Sequence, residues 1–298
     1  MMRPTAKTAP TRRLIGLNVS PALDEHGFLD SDFAAELPTL DSIQNSEAVL
    51  VVAPPWTGKS HEAMQLFQHL QGDRDVLGVY IESTFFERAG LIAGVGPKWW
   101  AEWQELEEQR ACWIVDALDE DKENRGMHAI LDLIEELQPE VRERLSLLMF
   151  CRENEQPEDV KQRLVDIYGK NLQMMRLAPV CEPIARIITA LDDDSFGDIC
   201  GLILQNKLQA VASLPIVLKC LAKQEPDTTI IMSDLWRQVL LLILRDERRD
   251  ARDPCMLSPI EDRFHAATRI AAALTFSDNS EVDAGSGQSS GPGIHTLF

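Results

Sequence analysis

The residues with the clearest chemical potential are Gly58, Lys59 and Ser60, which close the segment 53–60, APPWTGKS. A phosphate-binding loop needs converging backbone N–H groups, a lysine for the β- and γ-phosphates, and a hydroxyl for Mg²⁺. Ala53 replaces the first glycine of the G-x-x-x-x-G-K-[ST] pattern, and two prolines lack N–H donors. The donors that remain predict a nucleotide site with the following binding residues: Trp56, Thr57, Gly58, Lys59, Ser60 and His61.

A second group of chemically capable residues follows an apolar run about sixty residues later. The run 111–115 reads as a buried strand and ends at Asp116, with Asp119 and Glu120 close behind. Carboxylates beside a core are costly unless they hold a metal or move a proton, so Asp116 is predicted to bind Mg²⁺ through water. Asp119 or Glu120 is a candidate for orienting the attacking water. The alternative is a solvated acidic turn or a helix cap.

The elements that must position these residues alternate between strands and helices. Apolar runs at 48–52, 76–81, 111–116 and 145–151 indicate strands, and the segments 97–109 and 126–138 indicate helices. This alternation predicts an α/β fold, with a mainly parallel sheet covered on both faces. Ligands bind beyond the carboxyl ends of such strands. Lys59, Asp116 and Arg152 are therefore expected to converge on one crevice.

Taken together, these segments resemble the NACHT branch of the STAND-type P-loop NTPases, which are AAA+-related. The second motif of that family is D-G-x-D-E, and residues 116–120 match it except at Ala117, where the family has glycine. The resemblance covers about 45–275. It implies that Arg152, which ends the run 145–152, senses the γ-phosphate, and that Pro215, within 213–218, packs near the adenine. Rival explanations are an ion pair between Arg152 and Asp116 or Glu153, a proline that only starts a helix, and a Ser60 that only caps one.

Composition along the chain suggests where domains begin and end. We expect a P-loop NTPase three-layer sandwich followed by an all-α lid domain. The expected divisions are an N-terminal extension at 1–44, a nucleotide-binding domain at 45–181, a helical lid at 182–257, the start of a winged helix at 258–283, and a flexible tail at 284–298. The sensor repeats of a whole STAND protein are missing, so we expect either a fragment or sensing elsewhere.

Charge and composition exclude several classes of function. A net charge of −19 disfavours binding to nucleic acid backbones, and the apolar runs are shorter than the ~20 residues of a membrane helix. The basic N-terminus has no apolar segment of the kind that a secretory signal needs. Six cysteines without C-x-x-C spacing suggest free thiols in a reducing cytoplasm.

The function implied by the resemblance is an intracellular ATP-binding switch with slow, Mg-dependent hydrolysis. ATP or ADP and Mg²⁺ are the expected ligands, and lid closure would control self-association into a homo-oligomer during signalling or defence, such as antiphage systems. The absence of a guanine-reading motif favours ATP slightly. Two alternatives remain open: a nucleotide-independent scaffold for protein interaction with a degenerate loop, and an AAA+-like motor.

Overall fold

The structure is a computed structural model that describes residues 12–43, 45–71, 73, 75–82, 103–105, 109–118, 125–153, 157–244 and 259–277. Within these ranges, six strands form one sheet: β1 Leu14–Gly16, β2 Ala48–Ala53, β3 Val76–Glu82, β4 Arg110–Asp116, β5 Leu145–Arg152 and β6 Leu172–Leu177. The helices described are α1 Ser31–Glu36, α2 Lys59–Leu70, α3 Arg125–Glu136, α4 Pro139–Arg142, α5 Glu158–Tyr168, α6 Glu182–Thr189, α7 Asp193–Gln205, α8 Gln209–Ala212, α9 Pro215–Leu221, α10 Met232–Leu244 and α11 Ile260–Ser277.

The strands lie in the order β1-β6-β2-β5-β4-β3. β1 runs antiparallel to β6, and every other neighbouring pair is parallel. In the pairing register Ala53 lies opposite Arg152, and Val115 lies opposite Met149. The carboxyl ends of β2, β4 and β5 therefore reach the same edge of the sheet, with β5 between the other two.

Alternation of side chains along the buried strands creates two cores. Val49, Val51 and Ala53 of β2 pack on one face with residues of α2, whereas Leu50 and Val52 pack on the other face with residues of α3 and α5. Successive side chains of a strand point to opposite faces, so a continuous apolar run serves both layers. The predicted fold class is confirmed: helices cover both faces of a mainly parallel sheet in three layers.

All the described elements after residue 181 are helices, as the expected change to an all-α region predicts. The chain separates into two compact units, residues 1–227 and 228–298. That boundary lies inside the segment 182–257, expected to form the lid. The finer domain division remains a prediction.

The structure adds elements that the sequence patterns did not indicate. The short strand β1 and the helix α1 lie within the predicted extension 1–44, and β1 joins the sheet by pairing with β6. The helix α5 fills the gap between β5 and β6. The helix expected at 97–109 falls mostly outside the described residues.

Candidate phosphate-binding site

The loop between β2 and α2 has the backbone geometry of a phosphate cradle. β2 ends at Ala53, and Gly58 has the left-handed conformation with φ 91°, directly before the first residue of α2. The first intrahelical bond runs from Glu62 N–H to Gly58 O at 3.0 Å. The N–H groups of the first helical turn precede any intrahelical acceptor, and they carry the positive end of the helix dipole. Lys59, Ser60 and His61 belong to this turn.

Hydrogen bonds within the loop fix its shape. The Lys59 amine donates to the carbonyl of Ala53 at 3.0 Å and to that of Pro54 at 3.1 Å. The largely buried hydroxyl of Thr57 donates to the same Pro54 carbonyl at 2.8 Å. The lysine therefore spans the loop from helix to strand end, and its cationic group lies beside the loop carbonyls.

The departure from the phosphate-loop pattern at Ala53 has a structural explanation. Ala53 remains the last residue of β2, fully buried, and does not take a positive φ. The turn into the left-handed region falls instead on Trp56, with φ 64°. A non-glycine residue pays about 1–2 kcal/mol for that conformation. The indole of Trp56 is 52% exposed, so a large apolar side chain lies on the surface of the loop.

Asp116 is buried at the end of β4, with only 3% of its surface exposed. Its Oδ2 accepts a hydrogen bond from the hydroxyl of Tyr80 at 2.8 Å, and its Oδ1 accepts one from the Ala117 N–H at 2.9 Å. Ala117 has φ 57°. This left-handed residue occupies the position where the resembling family has glycine, which adopts the conformation without penalty.

Alternation places the side chains of Asp116 and Arg152 on the α2 face of the sheet. Asp116 follows Ile114 by two residues, and Arg152 follows Phe150 by two, and both apolar residues belong to the core on that face. Neighbouring strands are about 4.8 Å apart, and β5 lies between β2 and β4. The strand end that carries Asp116 is therefore roughly 10 Å from the strand end that leads into the phosphate loop. Arg152 is half-buried. Glu153, one of its suggested partners, lies 3.8 Å from Arg176 Nε.

Pro215 lies next to the loop although it is distant in sequence. Its Cγ is 3.6 Å from the point where a side chain on Gly58 would place Cβ. Pro215 occupies the first turn of α9. The structure therefore brings a helix of the C-terminal half of the first unit against the phosphate loop. Asp119 and Glu120, the candidates for water activation, lie outside the described residues.

Two further residues at the site were missed by the sequence reasoning: Tyr80, already described, and Arg12. Arg12 is 2% exposed, and it donates from Nη1 to the Thr57 carbonyl at 3.0 Å and from Nη2 to the Ala178 carbonyl. Its Nη1 also lies 3.9 Å from Glu62 Oε1. Burial lowers the pKa of Arg12, and burial raises the pKa of Glu62 to about 7 against the opposing charge of Arg12. A hydrophobicity pattern along the sequence does not indicate that Tyr80 or Arg12 lies at this site.

The residues present fit an Mg²⁺ ion that is coordinated jointly by the protein, the phosphates of a nucleotide and water. A carboxylate has about four acceptor positions, and the two described contacts of Asp116 leave others for a water or a cation. Within the described ranges, no group of three or more His, Cys, Asp or Glu residues could hold a metal alone. Mg²⁺ bound to nucleotides relies on one or two protein oxygens plus phosphates and waters, which this donor set can complete through Asp116 and Ser60.

The strand, loop and helix around Lys59 define a P-loop NTPase fold. No family model matches the chain, and no curated protein matches it. Three solved structures are similar: PCH-2 of C. elegans, with 15% identity over 65% of this chain and 59% of that chain, TM-score 0.37; AMPPCP-bound DnaA from Aquifex aeolicus, with 13% identity over 77% and 72%, TM-score 0.40; and Drosophila ORC bound to DNA, with 13% identity over 79% and 70%, TM-score 0.38.

The chain thus spans about 59% of the length of PCH-2. Similarities of this size assign neither a family nor a function to this chain. Among the described residues, no helix combines the length and the apolar character needed to cross a membrane.

Proposed function

We propose that this protein is an AAA+-related, ATP-binding switch of the STAND type, in which Mg-ATP binds to the loop 53–60. The observation that carries the proposal is the position of Lys59, whose amine donates to the carbonyls of Ala53 and Pro54 at the start of α2. A cation at a helix N-terminus, beside a left-handed glycine, is the arrangement that binds phosphate.

The proposal assigns a role to each candidate residue near the loop. Lys59 binds the β- and γ-phosphates, the N–H groups of Gly58 to His61 surround the phosphate oxygens, and Ser60 and Asp116 hold Mg²⁺. Arg152 contacts the γ-phosphate. A contact made only with the triphosphate supplies the differential binding energy that a switch needs. Glu120 or Asp119 orients the attacking water, and hydrolysis is slow.

The conformational part of the proposal is closure of the helical lid. Pro215 lies against Gly58, so a change in the loop on nucleotide binding acts directly on α9. We further propose that closure of the lid controls self-association in signalling or defence within the cytoplasm. The domain bounds in this proposal are those predicted from the sequence.

The first test is the nucleotide content and affinity of the purified protein. The protein is denatured with acid, and released nucleotide is identified by chromatography. Titration calorimetry then measures Mg-ATP affinity for the wild type, for Lys59→Ala and for Lys161→Ala, a control in which a lysine that pairs with Glu158 at 3.5 Å is lost instead. The proposal requires binding that only the Lys59 change abolishes. Equal affinity in the two variants rejects the site.

A second set of variants separates binding from switching. Arg152→Ala should weaken ATP more than ADP, and Glu120→Gln should retain ATP but suppress its hydrolysis. Sedimentation velocity with ADP and with a non-hydrolysable ATP analogue measures self-association. A larger sedimenting assembly with the ATP analogue than with ADP supports the switch. The same sedimentation coefficient with both nucleotides rejects it.

One observation favours the alternative of a nucleotide-independent scaffold. Trp56 has a left-handed φ of 64° in the loop and is 52% exposed, so it offers a large apolar side chain to a protein partner. A protein that contains no nucleotide and takes up no Mg-ATP supports the scaffold.

The other alternative is a motor, for which ATP turnover would be fast and stimulated by a polymer. Since the Drosophila ORC structure contains DNA, the assay includes duplex DNA at low salt, although the acidic chain disfavours that partner.

A further inference from the structure

We propose that Arg12 is a positioning residue for the phosphate loop, because it turns the peptide between Thr57 and Gly58 so that the Gly58 N–H faces the bound phosphate. This inference rests on the proposed function. Arg12 lies 41 residues before the loop begins, outside the segment that the phosphate-loop pattern covers.

The guanidinium of Arg12 is held rigidly. Nη1 donates to the Thr57 carbonyl at 3.0 Å, and Nη2 donates to the Ala178 carbonyl just after β6. Two acceptors on separate chain segments fix the plane of a guanidinium, whose donors form a rigid fork. The side chain is 2% exposed, so no bulk water competes for these carbonyls.

The backbone around Arg12 is held by segments other than the loop that its side chain contacts. The Arg12 carbonyl accepts from Leu40 N–H at 3.1 Å, and the carbonyl of the next residue, Arg13, accepts from Ala178 N–H at 2.9 Å. β1 then continues along β6. The guanidinium thus reaches the loop from backbone that is hydrogen-bonded to other segments of the chain.

The Thr57 bond sets the direction of the next amide. In a trans peptide the carbonyl of one residue and the N–H of the following residue point in opposite directions. Since Arg12 draws the Thr57 carbonyl into the protein, the Gly58 N–H points away from Arg12. In this proposal the phosphate binds on that side of the loop, facing the Gly58 N–H.

Steric hindrance alone does not fix this orientation. Rotation of the peptide plane changes φ of Gly58, and glycine accepts positive and negative φ about equally. Gly58 has φ 91°, and Pro215 Cγ, at 3.6 Å, is the one atom of a distant described residue within 4 Å of the place where a Cβ would lie. The orientation therefore depends on hydrogen bonds, and Arg12 supplies the one to the Thr57 carbonyl itself. Glu62, on the first turn of α2, lies 3.9 Å from the same Nη1.

The experiment compares Mg-ADP with AMP, because the Gly58 N–H is proposed to face the β-phosphate, which ADP carries and AMP lacks. Affinities for both nucleotides are measured for the wild type, Arg12→Met and Arg12→Lys, with the thermal midpoint of each. Arg13→Met is the matched control, since Arg13 Nη1 donates to the Leu37 carbonyl at 3.0 Å instead. Arg12→Met should weaken Mg-ADP about tenfold, the value of one hydrogen bond, and AMP by less than about threefold.

The lysine variant keeps a cation, but its single nitrogen lacks the fixed planar fork of the guanidinium, so its affinity should fall between those of the wild type and Arg12→Met. If Arg12→Met does not fold, Arg12→Lys is judged by the same ratio of Mg-ADP to AMP affinity. Equal weakening of both nucleotides, or an equal effect of Arg13→Met, means that Arg12 only stabilises the fold and overturns the inference. A wild type that binds no nucleotide overturns the proposed function as well. Normal binding by Arg12→Met alongside loss in Lys59→Ala overturns this inference alone.

Discussion

The hydroxyl of Tyr80 donates to the buried carboxylate of Asp116 at 2.8 Å, across the neighbouring strands β3 and β4. This bond orients the carboxylate that we propose as an Mg²⁺ ligand. Residues that orient a metal ligand typically change metal affinity by about 10–100-fold when mutated.

Tyr80→Phe should therefore weaken Mg-dependent nucleotide binding about tenfold and lower the free energy of unfolding by about 1 kcal/mol. Calorimetric titration with and without Mg²⁺, together with urea unfolding, measures both effects. Tyr168→Phe is the matched control: within the described part of the chain, the buried Tyr168 hydroxyl has no hydrogen-bond partner. That control should be neutral or slightly stabilising. If both variants lose the same Mg-dependent nucleotide affinity, Tyr80 does not orient a metal ligand.

The left-handed φ of Ala117, 57°, predicts a gain from glycine. Ala117→Gly removes about 1–2 kcal/mol of backbone strain, offset in part by the greater freedom of glycine in the unfolded chain. We expect a net stabilisation of about 0.5–1 kcal/mol in urea unfolding. The same substitution at the exposed, helical Ala35 of α1 should destabilise, by up to about 1 kcal/mol. Two changes of the same sign would contradict the assigned strain.

Gly58 supports the opposite prediction. Its φ of 91° strains any other residue, although the space around its missing Cβ would permit ordinary contact with Pro215. Gly58→Ala should lower the unfolding free energy by about 1–2 kcal/mol and weaken Mg-ATP binding. Gly201→Ala, in helix α7 with open space around it, should stabilise by about 0.4–1 kcal/mol. Thermal melts and calorimetry of both variants distinguish backbone strain from steric crowding.

The raised pKa of Glu62 predicts a defined pH dependence of stability. Burial raises this pKa from its ordinary 4.5 to about 7, so between these values the folded protein binds a proton that the unfolded chain does not. The stabilising contribution is complete below pH 4.5 and is lost as pH rises to about 7, a change of about 3 kcal/mol.

Comparison of the wild type with Glu62→Gln isolates this effect from all other titrating groups. In metal-free buffer with a chelator, the unfolding free energy of the wild type minus that of the variant should fall between pH 4.5 and pH 7.5. Glu158→Gln, at an exposed glutamate of α5, is the matched control for the substitution itself. A difference that stays constant with pH for Glu62→Gln contradicts the buried environment.

Much of the fold follows from local pattern, as the predictions for particular elements illustrate. The strand 145–151 and the helix 126–138 appear as Leu145–Arg152 and Arg125–Glu136, because apolar periodicity reports directly which faces of an element are buried. The edge strand β1 was not predicted, because three residues are too few to show the alternation of apolar and polar side chains that indicates a strand. It exists because β6 offers an unpaired edge.

The amino-acid order was sufficient to locate the loop 53–60 and the acid at 116, because a strand end followed by Gly-Lys-Ser, or by a carboxylate, is a local arrangement. Partners distant in sequence required the folded chain. Arg12 contacts Thr57 across 45 positions and Tyr80 contacts Asp116 across 36, and Pro215 reaches Gly58 from a separate helix. Such contacts depend on strand order and helix docking, and the periodicity of a single segment encodes neither.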